Sequence, residues 1–182
     1  MALYPDSQEI ESITGDIKKG IFVGLCGSFS EDNISILMGL KKYLNKNGYK
    51  HVFTADDFPT NGPRIIWGDA KYEDAYNVSM SLVNHCDICI IFFFVSDKNP
   101  EVNQSAVAEI QELCSKGKKN VIILLENGFS LRSNLKGIKY KSGRNKWWDW
   151  NDFFRDEIQD CFIHVKQTCH NIVLERFVTL EK

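Results

Sequence analysis

The chain has 182 residues, 43% of them hydrophobic, and a formal net charge of −2. This length suits a single domain with a full core, and the apolar content is typical of globular rather than disordered proteins. Because the charges nearly balance, no general basic field exists, and we expect no nucleic-acid polymer as a partner. The longest apolar run, Ile88 to Val95, is too short to span a bilayer, so we also expect no membrane partner.

The cysteines and the amino-terminal sequence bear on the compartment and on metal binding. Residues 1–20 are polar and lack the apolar core of a signal peptide, and several of the six cysteines lie in apolar runs. We therefore expect reduced thiols and a cytoplasmic location. Cys86 and Cys89 have C-x-x-C spacing, but no second pair stands at a suitable distance and the histidines are scattered, so we predict no metal site.

The amino-terminal region begins with residues 1–19, which we interpret as a polar arm or a short first helix before a single domain at 20–182. Ile21 to Leu25 is a short apolar run that predicts a buried strand. The sequence Ser28-Phe-Ser-Glu31 matches a capping box, which predicts that Ser28 caps the next helix. Apolar residues then recur at helical spacing as far as Gly48, which is expected to end this helix.

The middle of the chain alternates between predicted strands and helices. Residues 87–95 are apolar almost throughout, which predicts a central strand buried on both faces. The other predicted elements are a strand at 49–55 that ends in Asp56 and Asp57, a loop at 58–72, a helix at 73–86, a polar loop at 96–104, a helix at 105–116 ended by Gly117, and a strand at 120–125.

Three segments make up the carboxyl-terminal part. Residues 126–146 are rich in Gly, Ser, Asn, Lys and Arg, which predicts a mobile loop with solvated basic side chains. Residues 147–165 predict an amphipathic helix whose tryptophans pack it onto the sheet, in preference to stacking a base or covering a pocket. The tail at 171–180 fits either a last strand or a helix.

The alternation of strands and helices predicts the fold class. It indicates an α/β protein, a three-layer flavodoxin-like or Rossmann-like domain with a central parallel sheet of about five strands. Ligands of such sheets bind outside the carboxyl ends of the strands, where the strand order reverses. With flavodoxin-like order the reversal lies between the first and third strands. The loops at 26–30 and 96–105 should therefore meet there.

Glu109 is the candidate catalytic residue at this crevice. It lies about one turn into the helix that opens there, between largely apolar neighbours, so we expect partial burial. The helix N-terminus should keep its carboxylate ionised. A carboxylate at that place could attack an anomeric carbon or stabilise an oxocarbenium ion. Spacing alone favours an ordinary solvated glutamate of a first helical turn.

The candidate substrate-binding residues lie in the surrounding loops. Free N–H groups at the start of the first domain helix suit a phosphate or carboxylate, and an acid after the second strand often meets a ribose hydroxyl. No P-loop lysine follows the first turn, which disfavours a nucleoside triphosphatase. The candidates are Gly27, Ser28, Phe29, Ser30, Asp56, Asp57, Asn103 and Ser105.

Three segments carry a family resemblance: IFVGLCGSF at 21–29, LVNHCDICIIFF at 82–93 and EVNQSAVAEIQELCSKGKKNVIIL at 101–124. Their order resembles the nucleoside 2-deoxyribosyltransferase superfamily, which includes the 2'-deoxynucleoside 5'-phosphate N-hydrolases. The resemblance covers roughly residues 20–165 and includes the segment WDWNDFFRDEIQDCF. It implies that Glu109 is the nucleophile and that Gly117-Lys118 is the family's Gly-Lys pair.

Two positions depart from that family pattern. Ser79 stands near the place of an aspartate on the helix before the third strand. The glycine-rich approach to the glutamate is replaced by residues 104–108, Gln-Ser-Ala-Val-Ala. Loss of the acid would weaken protonation of the leaving base or positioning of the sugar, so the activity could be altered or absent.

Two further segments, FVGLCGSFSEDN at 22–33 and GYKHVFTADDF at 48–58, are similar to TIR domains. They resemble the opening strand with its serine-rich turn and the second strand with its acidic end. This resemblance implies the same flavodoxin-like sheet and aligns Glu109 with the TIR glutamate. Several TIR domains cleave the nicotinamide bond of NAD, so both resemblances imply the same residue and the same class of bond.

The expected function is cleavage or transfer at the N-glycosidic bond of a nucleoside, a nucleotide or an NAD-like dinucleotide, with Glu109 as nucleophile. We expect no cofactor, although NAD is a candidate substrate. The alternative is a TIR-like module that senses a nucleotide or assembles in signalling, with weak or no catalysis. Many relatives complete their site from a neighbouring subunit, so the resemblance implies a homodimer or a higher homo-oligomer.

Overall fold

The computed structural model describes residues 7–28, 30–57, 75–95, 103–143 and 145–175. Four sequence-based predictions lie wholly or largely outside these described residues: the binding residue Phe29, the loop at 58–72, the loop at 96–104 and the end of the tail.

A single parallel sheet of five strands forms the centre of the fold. The strands are β1 (Phe22–Cys26), β2 (His51–Thr54), β3 (Ile88–Phe93), β4 (Val121–Glu126) and β5 (Trp148–Phe153). They are hydrogen-bonded in the order β2-β1-β3-β4-β5, and every neighbouring pair is parallel. This is the predicted flavodoxin-like α/β fold class. Since all carboxyl ends lie at one edge, the reversal of strand order between β1 and β3 marks the expected crevice.

Six α-helices in the described part of the chain flank this sheet. They are α1 (Ser7–Gly20), α2 (Glu31–Lys46), α3 (Ala75–His85), α4 (Gln104–Ser115), α5 (Ser133–Ser142) and α6 (Ile158–Val173). Side chains of α1, α2 and α6 pack on one face of the sheet, and side chains of α3, α4 and α5 pack on the other. The result is the expected three-layer arrangement.

The central strand β3 is buried on both faces, as its continuous apolar sequence predicts. Ile90 and Phe92 point to the core that contains α2 and α6. Ile91 and Phe93 point to the core that contains α3 and α4. This alternation lets one strand hold both layers of helices together.

The predicted helix ends at glycine are confirmed. Helix α2 ends at Lys46, and Gly48 adopts a φ of +97° two residues later. Helix α4 ends at Ser115, and Gly117 adopts a φ of +61°. Glycine is favoured at such positive φ values because it has no Cβ. These two glycines therefore end both helices.

Two predictions in the carboxyl-terminal part are wrong. Residues 126–146 were expected to form a mobile loop, but α5 occupies the centre of this segment and buries Leu135. Residues 147–165 were expected to be one helix, but they begin with β5 and a short 3-10 turn, and α6 starts only at Ile158. The aromatic start of that segment suits a strand, because aromatic side chains pack well on a pleated surface.

The two termini also take helical structure. Residues 7–20 form α1, in agreement with the helical alternative for the amino-terminal segment, and Ile17 packs against the core. The start of the tail continues α6 as far as Val173. Among the described residues no helix has the length and apolar character needed to cross a membrane.

Candidate active site

The turn after β1 lies close against the central strand. Gly27 adopts a φ of +151°, and a Cβ placed there would lie 3.2 Å from Phe92 Cβ and 3.3 Å from the Phe92 carbonyl oxygen. A larger residue would therefore be strained and crowded. Ser28 follows and is buried, and its Oγ accepts a hydrogen bond of 3.3 Å from the backbone N–H of Ser30.

The capping box predicted for this turn is wrong in its details. Helix α2 begins one residue after Ser30, which is the N-cap residue with extended backbone, and no side chain caps the helix. The Ser30 carbonyl oxygen accepts the N–H groups of Asn33 and Ile34 at 2.9 Å each. The Ser28 hydroxyl instead accepts a hydrogen bond within its own turn. Local spacing could not distinguish the two serines, since both precede the apolar helix by a plausible distance.

Glu109 is buried on the helix that faces this turn. It lies on α4 with only 3% of its surface exposed. Its Oε1 accepts a hydrogen bond from the Ser79 hydroxyl on α3. Its Oε2 is also buried and has no hydrogen-bond partner of good geometry among the described residues. An unpaired buried acceptor is uncommon in folded proteins, because it forfeits the hydrogen bonds that water would supply.

The burial changes the acidity of Glu109. Desolvation raises the pKa of its carboxyl to about 7, an effect that hydrogen bonding by Ser79 and the Cys26 thiol partly offsets. This corrects the expectation that the helix N-terminus keeps the group ionised. Glu109 is the sixth residue of α4 counted from Gln104, and the favourable field of a helix terminus falls off within the first turn. The carboxyl can therefore gain or lose a proton near neutral pH.

The Cys26 thiol connects Glu109 to the carboxyl end of β1. Cys26 is the last residue of this strand, pairs in register with Ile91 of β3, and lies next to the Glu109 carboxyl. Burial, the nearby Glu109 and the neighbouring thiols together raise the pKa of Cys26. Ser28 is two residues further along the chain. The structure thus places Glu109 beside Cys26 at the carboxyl end of β1, where the strand order reverses.

Asn103 holds the chain at the start of α4. Its carboxamide oxygen accepts the backbone N–H of Phe94 at 2.9 Å, and its Nδ2 donates to the carbonyl oxygen of the same residue at 2.7 Å. The side chain thus continues the hydrogen bonding of β3 and fixes where α4 begins. Its predicted role in substrate binding stays a prediction. Ser105, in the first turn of α4, has an exposed side chain.

Asp57 is fully engaged within the protein. One carboxylate oxygen accepts Lys41 Nζ at 2.5 Å, and the other accepts the backbone N–H of Thr54 at 2.6 Å and its hydroxyl at 2.9 Å. Burial alone would raise the pKa of Asp57, but these hydrogen bonds outweigh it and lower the pKa below its usual range. Asp57 therefore ties the end of β2 to α2. The side chain of Asp56 is outside the described residues.

Sequence reasoning missed a charged cluster at the same edge of the sheet. Arg155 donates to Glu126 through Nε at 2.7 Å and through Nη2 at 3.0 Å. It also donates to the Asp32 carbonyl oxygen at 3.0 Å and to Asn33 Oδ1 at 2.9 Å. These contacts hold the first turn of α2, just after the Ser28 turn. Nothing local in the sequence indicates them, because Arg155 and Asn33 are 122 residues apart.

The tryptophans pack differently from the prediction. Trp148 is buried, and Trp147 and Trp150 are half-buried against the same core as α4 and α5, not against α6. The Trp148 indole donates to the Lys118 carbonyl oxygen at 2.8 Å. The Trp150 indole donates to Ser142 Oγ at 2.9 Å. The expectation that they pack the last helix onto the sheet is therefore wrong.

The fold and this carboxyl group define the class of protein, a flavodoxin-like α/β domain with a buried glutamate at the strand-order reversal. Among the described residues no group of three His, Cys, Asp or Glu side chains could hold a metal ion. Comparisons with known protein families, with curated proteins and with solved structures found no match to this chain.

Proposed function

We propose that this protein cleaves or transfers at the N-glycosidic bond of a nucleoside, a nucleotide or an NAD-like dinucleotide, with Glu109 as the nucleophile. One observation carries the proposal: Glu109 is buried at the β1–β3 reversal, with Oε1 held by Ser79 and Oε2 without a hydrogen bond of good geometry among the described residues. Ligands of parallel sheets bind at that place. A carboxylate with one anchored and one unfilled oxygen is suited to attack.

The reaction that fits this carboxyl is a two-step displacement. Oε2 of the ionised Glu109 attacks the anomeric carbon while the C–N bond breaks, and the bonding electrons leave with the base. A purine or pyrimidine base then takes up a proton, whereas the pyridinium of NAD leaves as neutral nicotinamide and needs none. A water molecule hydrolyses the resulting sugar ester, or the hydroxyl or ring nitrogen of a second substrate accepts the sugar. Since only the ionised carboxylate attacks, kcat/KM should rise with pH through about 7, the value to which burial raises the pKa of Glu109.

The test measures the release of free base or nicotinamide by chromatography. Purified protein is incubated separately with 2'-deoxynucleotides, nucleosides and NAD. We expect turnover of at least one substrate and a loss of about a thousandfold or more in Glu109→Gln, which keeps the shape but cannot attack. Glu112→Gln is the matched control, because Glu112 lies on the same helix but pairs with Lys116 at the surface. Equal rates for wild type and Glu109→Gln on every substrate would contradict the proposal.

A second candidate function is ligand sensing without turnover. It is supported by the neutral Ser79 beside Glu109 and by the raised pKa of Glu109, because a protonated carboxyl can donate a hydrogen bond to a ligand. In that case calorimetry with NAD or a deoxynucleotide would show binding without product. Glu109→Gln would retain the affinity, since the amide can also donate. Turnover that depends on Glu109 would rule this alternative out.

A further inference from the structure

A second surface, formed by residues that follow α4 in the chain, has an unusual charge. Residues 127–148 contain six basic and no acidic residues, which leaves 16 basic and 24 acidic residues in the rest of the chain. The near-neutral total, from which no nucleic-acid partner was expected, therefore hides a strongly positive segment. A solvated loop was expected here, but three of the six basic residues, Lys136, Lys139 and Lys141, lie on α5.

The structure joins these basic residues to two aromatic rings. Lys146 Nζ lies 4.4 Å and Lys119 Nζ 5.8 Å from the ring centroid of Trp147. Lys139 Nζ lies 5.6 Å from the ring of Trp150. With the exposed Lys141 on the same helix, we name these residues the lysine–tryptophan surface: Lys119, Lys139, Lys141, Lys146, Trp147 and Trp150.

The parts of this surface are connected by hydrogen bonds of the sheet and of α5. The Trp147 carbonyl oxygen accepts the N–H of Val121 at 3.0 Å, which places Lys119 beside the start of β5. The Trp150 indole donates to Ser142 at the end of α5, which places this helix over the strand. Hydrogen bonds therefore hold both parts of this surface to β5, the first beside the start of β4 and the second at the end of α5.

Its positive charge is not neutralised within the described structure. None of the ion pairs among described residues involves Lys119, Lys139, Lys141 or Lys146. Two acids on neighbouring elements are already engaged, Glu112 with Lys116 and Asp149 with His164. Two ammonium groups on one indole repel each other, so an anion near them would be favoured.

We propose that the lysine–tryptophan surface binds single-stranded nucleic acid, with the lysines at phosphates and Trp147 stacked on a base. Sequence-tolerant binding of single strands combines a basic track with aromatic platforms, and this surface presents both. An acidic peptide would not use the aromatic faces. A lipid surface would require an exposed apolar helix face, whereas the exposed face of α5 carries lysines and Tyr140. The proposal does not depend on the activity of Glu109.

The test is fluorescence anisotropy with a labelled oligothymidylate of about 20 nucleotides, longer than single-strand sites of about 4–16 nucleotides. The variant Lys119→Gln/Lys146→Gln removes two charges at Trp147, and Lys42→Gln/Lys46→Gln removes two exposed charges from α2 as the matched control. We expect the first pair to weaken binding about tenfold or more and to lower the salt slope by about 1.4, since each single-strand phosphate contact contributes about 0.7. The control pair should bind like wild type.

An abasic strand of the same length tests whether a base stacks on Trp147. We expect weaker binding of this abasic strand and less quenching of tryptophan fluorescence than with oligothymidylate. The proposal is overturned if wild type does not bind oligothymidylate at low salt, if both lysine pairs weaken binding equally, or if the abasic strand binds as tightly. Binding to phosphatidylserine vesicles without binding to oligothymidylate would assign the surface to a membrane and would also overturn it.

Discussion

Two glutamates near the carboxyl edge of the sheet show opposite uses of the same side chain. Glu126 at the end of β4 has partners on both carboxylate oxygens: Arg155 contacts each of them, and the N–H of Val95 donates to Oε2 at 2.8 Å. Glu109, on the other face, has Ser79 on one oxygen and, within the described part of the chain, no partner of good geometry on the other.

The difference indicates where chemistry can take place. A carboxylate whose acceptors are all filled connects elements of the fold, and Glu126 joins the ends of β3, β4 and β5. A carboxyl with an unfilled buried acceptor destabilises the folded state when it ionises, because the hydrogen bonds that it accepts compensate only part of its desolvation. Such a group is retained in a stable protein when it serves a purpose other than stability, and for this reason Glu109 is the better candidate for catalysis.

The largest expected effect is a dependence of the unfolding free energy on pH that comes from Glu109. Because burial raises the pKa of Glu109 to about 7, its contribution to stability is present below its unfolded pKa of about 4.5 and is lost as the pH rises through 7. A difference of this size corresponds to about 3 kcal/mol. Relative to wild type, Glu109→Gln should therefore gain about 3 kcal/mol in unfolding free energy between pH 4.5 and pH 8, measured by urea denaturation at each pH.

Asp57→Asn provides a control of opposite sign. The pKa of Asp57 is lowered in the folded state, so this carboxylate stabilises the protein above its unfolded pKa and ceases to do so as the pH falls. The variant should be destabilised at neutral pH and approach wild type in acid. If Glu109→Gln changes stability by the same amount at pH 4.5 and pH 8, its carboxyl is not buried as described.

A smaller loss of stability is expected when Glu126 loses its partner Arg155. Arg155→Met removes the contacts to Glu126, Asp32 and Asn33, and we expect a loss of about 1–2 kcal/mol in unfolding free energy. The Arg155 side chain is 39% exposed, so solvent weakens the pair. Hydrogen exchange should accelerate in the first turn of α2. Arg155→Lys should recover only part of the loss, since an ammonium cannot form the side-on pair. Unchanged exchange in Arg155→Met would show that α2 is held by packing alone.

The sequence predicted the features of this site that follow from the topology of the sheet. The apolar run of β3, the glycines that end α2 and α4, and the alternation of strands and helices are local signals, and they place Glu109 at the correct edge. The extent of its burial could not be predicted, since Ser79 and Cys26 come from other elements. The Glu126–Arg155 pair was missed for the same reason. The strand β5 was mistaken for part of a helix because no glycine or proline separates it from the helical segment that starts at Ile158, although the alternation of Trp148 and Trp150 with polar residues is typical of a strand.

The smallest expected effect concerns the hydroxyl that holds Glu109. Ser79→Ala removes a hydrogen bond that lowers the pKa of Glu109, so this pKa should rise further, and Ser79→Thr should restore it by keeping a hydroxyl. Carbon-13 NMR of the labelled carboxyl measures the shift directly. The unfolding free energy at pH 5 should fall by only about 1 kcal/mol, because the protonated carboxyl needs the hydroxyl less.

The same substitution distinguishes a positioning role from a structural one. If Glu109 is the nucleophile, the rising limb of kcat/KM must move to higher pH together with the carboxyl pKa in Ser79→Ala, and back again in Ser79→Thr. A loss of activity without movement of this limb would mean that Ser79 supports only the packing of α3. A carboxyl pKa that does not move at all would show that Ser79 does not donate to Glu109 in solution. Because the two measurements rest on the same hydrogen bond, agreement between them would connect the buried Glu109 carboxyl to the reaction.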